Sequence, residues 1–141
     1  MHYRYTIIQA LEAALEATPE LEGKVTRSDA FPAEGVAVRV FAVSEVLEQD
    51  ERSMTPTEEN RTLVIRVRLL LSGHDVQADA NQYQEIIEGV TPAALEAVAD
   101  CGYLDRVDFE VEAEQDRETM TASSDYIAEY STVMGDPSTR A

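Results

Sequence analysis

A chain of 141 residues with 44% hydrophobic content can fill one core and leaves little for a second, so a single domain is expected. Its formal charge of -17, from 28 acidic against 11 basic residues, opposes close approach to phosphate backbones and anionic lipid, and the Lys and Arg clusters that give nucleic-acid affinity are missing. No run nears the roughly 20 apolar residues of a membrane span, no basic region followed by an apolar stretch opens the chain, and Cys101 has no second cysteine to pair with, all of which fits a reducing cytoplasm.

Between Thr6 and Ala17, Ile7, Leu11 and Ala14, with Ile8 and Leu15 beside them, recur at the spacing of a helix with one buried stripe; Pro19 follows its end. Val25 to Arg27 reads as a short strand. Phe31-Pro32 then leads into Val36, Val38 and Val40, alternating with Ala37, Arg39 and Phe41 in a long strand. The run 48–60, EQDERSMTPTEEN, has no apolar period and reads as a long hairpin loop or projecting acidic arm. Loops of this length in compact domains carry function, so Glu48, Asp50, Glu51 and Arg52 are candidate subunit or partner contacts. Leu63, Ile65, Val67, Leu69 and Leu71 give the clearest period of two in the chain. The polar face of that strand carries Arg66 and Arg68, two further candidate contacts, expected with Arg39 to pair with carboxylates along the sheet or across a subunit joint.

Gly73-His74-Asp75 breaks the strand, and Asp75 is expected to cap a helix with Ala80, Tyr83, Ile86 and Ile87 as its buried stripe. Thr91-Pro92 reads as the start of a second helix through Leu95 and Val98, stopping at Gly102. Val107, Phe109, Val111 and Ala113 alternate with Asp108, Glu110, Glu112 and Glu114, which predicts a strand with one buried and one acidic face. Gln115 to Glu118 is a turn whose Asp116 and Arg117 complete the candidate contacts, and the last strand puts Tyr126, Ala128 and Tyr130 on one face. The domain is expected to span 1–130, with 131–141 a loose tail unless a partner orders it. The order of elements predicts an α+β fold, a mostly antiparallel sheet with helices packed on one face.

Reactive constellations are missing from this sequence. His2 and His74 stand at no zinc-ligand spacing, and Ser123 and Ser124 lie in no nucleophile elbow. The carboxylates from Asp105 to Glu118 lack the spacing and central glycine of a calcium loop, and no glycine-rich phosphate loop is present. Cys101, between Asp100 and Gly102, reads as a small packed side chain whose acidic surroundings raise its pKa. No catalytic residue, metal or cofactor is expected.

An amphipathic N-terminal helix is followed by a Phe31-Pro32 entry into Val36-Ala37-Val38, a polar acidic hairpin loop, and a second long strand leading to helices. Gly102-Tyr103, an acidic turn at Asp116-Arg117, and a last strand of the form Ser-Ser-Asp-Tyr-x-x-x-Tyr at Ser123 to Tyr130 complete the series. In this order and spacing the chain resembles the tail terminator proteins of long, non-contractile-tailed bacteriophages, the lambda-like minor tail family. The residues beyond Ser131 and the length of the 48–60 loop depart from that pattern. The resemblance implies a small α+β protomer that assembles in the host cytoplasm into a hexameric ring. The ring would stack on the last ring of tail tube protein at the head-proximal end of the virion's tail, stop tube growth and offer a surface to the head-tail connector or neck protein. It implies no catalysed reaction, no cofactor and no membrane, with DNA passing through the ring without specific binding; an acidic lining suits such a channel because a basic one would hold the phosphates. From charge alone a second reading stands, an acidic DNA mimic that occupies a nucleic-acid-binding enzyme. A small α+β enzyme ranks third for want of a convergent His, Cys or Lys site.

Overall fold

The computed structural model describes residues 1–48 and 57–141, with only the backbone of Glu48, so Asp50, Glu51, Arg52 and most of the acidic arm lie outside the described residues. The most regular alternation in the sequence becomes the strand β2, Glu58–Gly73, which has a neighbour on each side. One neighbour is β1, Gly35–Glu48, and the other is β4, Arg117–Val133; β3, Cys101–Glu114, pairs with the far side of β4. Every pairing is antiparallel in the order β1-β2-β4-β3, so β1 and β4 run one way and β2 and β3 the other. The helices α1, Tyr3–Glu16, and α2, Gln77–Glu96, pack on one face, giving the α+β architecture the sequence predicts.

The core lies between that face and the helices. Leu63, Ile65, Val67, Leu69 and Leu71 of β2 and Ala122, Tyr126, Ala128 and Tyr130 of β4 meet Ile7, Leu11 and Leu15 of α1 and Ala80, Ile87 and Leu95 of α2, all nearly inaccessible. Each of the large aliphatic side chains among them contributes about 1.5–3 kcal/mol by leaving water. Polar groups enter the layer from α2, where Gln84 Nε2 donates to Ser124 Oγ at 2.6 Å and Thr91 is fully buried. The Tyr126 hydroxyl, also in this layer, has its pKa pushed up to about 12, mainly by burial.

Four local expectations are corrected. The turn at Thr91-Pro92 starts no helix, because α2 runs through Pro92. Ala80, Gln84, Ile87, Thr91 and Leu95 form one unbroken buried stripe along it, and this packing outweighs the single backbone bond that proline forfeits. Asp75 caps nothing: it sits in the left-handed region at φ 47, and Val76 occupies the cap position without a side-chain bond. The segment 131–141 is no loose tail. β4 continues to Val133, and Asp136–Arg140 forms a fifth strand, β5, beside its end. Within β5 Asp136 accepts bonds from Ser138 and Thr139, while Arg140 reaches Asp100 at 3.0 Å. The short strand expected at Val25 to Arg27 is reduced to a single bridge from Val25 to Val38.

Candidate assembly surfaces

The candidate contact residues fall in three separate places. Glu48 ends β1 beside the undescribed arm, whereas Asp116 and Arg117 form the β3–β4 turn. Since Glu58 pairs with Val133 and Gly73 with Glu118, these two places are opposite ends of the sheet, about 50 Å apart by strand length. Arg66 and Arg68 lie between them, on the sheet face away from the helices.

On that face Arg66 sits directly across from Asp125 and binds it through two nitrogens, at 2.8 and 3.1 Å. The fork raises the Arg66 pKa, chiefly through the hydrogen bond to Asp125. Arg68 and Arg39, which are also cross-strand partners, both reach Asp29, at 2.8 and 2.6 Å. Local desolvation works against ionisation there, yet the two guanidiniums hold the Asp29 carboxyl below its usual range. Both also lie over the ring of Phe41. Arginine pairing along the sheet is thus present. Because Arg39 and Arg68 share one carboxylate, a positive charge is left in excess at the β1 side of a strongly acidic molecule.

A second polar cluster was not foreseen. Arg61 lies on the helix side at the arm end of β2, where Nε donates to Thr132 Oγ1 at 2.9 Å, one terminal nitrogen to Glu45 at 2.7 Å and the other to Glu59 at 2.9 Å. The Tyr130 hydroxyl donates to the other Glu45 oxygen at 2.7 Å, and its ring stacks on Tyr3 with centroids 5.5 Å apart. Burial disfavours the charged guanidinium, but the bonds to Glu45 and Glu59 outweigh it and raise the Arg61 pKa. This clasp ties α1, β1, β2 and β4 at the root of the arm. The sequence held one signal of it: Arg61 occupies the same phase of β2 as Leu63 and Ile65, where a charge requires a partner.

The third surface overturns the expected burial of β3. Its apolar residues point to the helix side, since Val107, Phe109 and Val111 stand opposite Ser124, Ala122 and Met120. No helix covers them: Phe109 is 50% and Val111 47% exposed, while Ala122 is inaccessible. At the start of β3, Gly102 lies against Leu95 of α2 so tightly that an added methyl would overlap it. At the opposite sheet edge, a groove of about 560 Å³ opens between α1 and β1, lined by Arg4, Tyr5, Ile8, Arg27, Val40 and Ala42 among others.

Reactive groups do not converge. His74 lies in a shallow depression at the β3–β4 turn with Glu34 and Asp116. Ser124 is occupied by Gln84, and the Cys101 thiol is pushed up by burial and by the Glu129 and Glu96 carboxylates. Among the described residues no group of three or more His, Cys, Asp or Glu side chains could hold a metal ion, and no helix is long and apolar enough to cross a membrane. Compared with models of known protein families and with curated proteins, the chain gives no match.

Proposed function

We propose that this protein is an assembly subunit, a terminator that closes the head-proximal end of a phage tail tube as a ring of six. The observation that carries an assembly role is the uncovered apolar side of β3. Phe109 and Val111 lie half in water along a free sheet edge, with Val107 partly buried beside them, a surface that another chain would cover. The narrower reading, a tail terminator, is supported by the ordered resemblance in the sequence, and it assigns no reaction to the protein. The expected arm is shorter than 48–60, since Glu58, Glu59 and Asn60 belong to β2 and Asn60 pairs with Glu48. The segment between β1 and β2 would be a docking element for the tube or the connector, and Asp116 and Arg117, at the opposite end of the sheet, would face the other neighbour.

The test combines native mass spectrometry with electron microscopy of tail tube protein from the same genome, polymerised with and without this chain. Six copies bring together roughly a hundred negative charges, so the ring should form more readily at higher salt or with magnesium. Tubes of bounded length bearing a ring at one end are expected. Unaffected tubes together with monomer under all conditions would remove the reading.

One observation favours the DNA-mimic alternative: Asp108, Glu110 and Glu112 stand on the outward face of a free strand at intervals of about 6.8 Å. Tight, salt-sensitive binding of monomer to a basic nucleic-acid enzyme would select it.

A further inference from the structure

We propose that β3 of one copy adds as an antiparallel strand to the open stretch of β1 in a second copy, its apolar side chains filling the groove between β1 and α1. The inference deepens the ring reading and rests on it only for the number of copies.

Strand parity comes first. The four long strands alternate in direction along the path β1-β2-β4-β3, with β5 off that path at the end of β4, so the outer strands β1 and β3 run oppositely. Two copies in the same orientation, set side by side, therefore bring β3 of one antiparallel to β1 of the next with both helix faces on one side. Each copy keeps a free edge of each kind, and the contact repeats head to tail, as a closed ring or a filament requires.

The β1 edge is occupied at one point and open beside it. At Val38 its outward backbone groups are taken, bonded to Lys24 and Thr26 at 2.8 and 2.7 Å. Backbone direction alternates along a strand, so Val40 and Ala42 present the same outward groups, and among the described residues no backbone bond reaches them from that side. The groove lies beside this stretch. A strand added here with its helix side aligned would direct Val107, Phe109 and Val111 into the groove, against Val40, Ala42 and Ile8.

Charge selects the pairing. The other face of the incoming strand carries Asp108, Glu110 and Glu112 and would meet the side of β1 where Arg39 and Arg68 share Asp29. Arg27, at the same groove, is 82% exposed and paired at 3.7 Å with Glu12. A two-fold pairing of β3 with β3 would instead set the same three carboxylates against their own copies, a like-charge contact that disfavours it.

The test uses two single-cysteine proteins in a Cys101→Ser background, Ala42→Cys and Phe109→Cys, mixed and treated with a short bis-maleimide that tolerates a small shift of register. Bridging between the two variants, at least tenfold above that of either alone, is expected. In parallel, Phe109→Asp should raise the dissociation constant for self-association at least tenfold without lowering the melting temperature. Self-bridging of Phe109→Cys, or absence of bridging while native mass spectra show six copies, would overturn this contact and leave the ring reading standing. Bridged copies that never cap a tube would do the reverse. Monomer throughout, or unchanged association of Phe109→Asp, would also overturn the contact.

Discussion

Strands β3 and β4 form one hairpin, both alternate between apolar and polar residues, and their facing residues point the same way, yet one is buried and the other is not. Met120, Ala122 and Tyr126 of β4 lie under the helices, while Phe109 and Val111, one strand further out, are half exposed. Alternation records which side of a strand is apolar. What covers that side is decided by helix position: α2 packs tightly on β3 at Gly102, while Phe109 and Val111 stay half exposed. The difference therefore separates the apolar residues that hold this chain folded from those available to another chain.

The sharpest way to break the comparison is to place the same charge on both strands at one cross-strand pair. Ala122→Asp would bury an unpaired carboxylate in the core and should cost about 3–5 kcal/mol, lowering the melting temperature by about 10 °C or more. Phe109→Asp, directly opposite, should leave the melt within a degree or two. Equal losses would mean that β3 is covered in the monomer. Within β3 itself the root and the outer stretch should differ. Gly102→Ala drives a methyl into Leu95 and should cost about 2–3 kcal/mol in denaturant unfolding, whereas Val111→Ala should cost less than about 0.5 kcal/mol.

The arm end of β4 carries the comparison further, because Tyr130 and Thr132 are enclosed by the Arg61 clasp rather than by a helix alone. Arg61→Ala leaves Glu45 and Glu59 close together without their cation and should cost about 2 kcal/mol. Arg66→Ala, on the exposed outer face, should cost less than about 1 kcal/mol despite its two-bonded pair, since that guanidinium keeps access to water. The two melts measured side by side test whether enclosure or bond count sets the value of these arginines.

Much of the fold was legible because it depends on local pattern. The period of two in β2, the stripe of α1 and the Tyr126-Ala128-Tyr130 face follow from spacing alone, and the structure places them accordingly. What was not legible depends on distant partners. Pro92 sits inside a helix because residues on both sides of it share one buried stripe, and 131–141 is ordered because the end of β4 offers a free edge beside Asp100. The exposure of β3 could not be read either, since an apolar face at a sheet edge has the same sequence as one at the centre. Of the candidate contacts, pairing of Arg66 and Arg68 was foreseen in kind. Their partners, Asp125 and Asp29, lie 59 and 39 residues away, and no sequence signal selected them.

The smallest effect concerns the clasp's link to α1. His2 Nδ1 accepts from the Arg4 amide at 3.2 Å and caps the helix, while Nε2 lies 3.2 Å from an Arg61 terminal nitrogen and 3.5 Å from Glu45. Burial lowers the His2 pKa, Arg4 and Arg61 add to that, and the pull of Glu45 in the other direction is overcome. A histidine whose folded pKa lies below its unfolded value of 6.5 binds more protons when unfolded, so stability rises with pH across that interval. The contribution is thus complete above about pH 6.5 and is lost as pH falls through the folded value, because a proton on Nδ1 would face the Arg4 N–H and undo the cap. The expected loss is less than about 1 kcal/mol, the scale of a helix cap. His2→Asn keeps an acceptor at the cap without a titrating group, so the difference between the two proteins' melting temperatures should narrow steadily from pH 7 to pH 5. A difference independent of pH over that range would show that the cap does not depend on neutral His2.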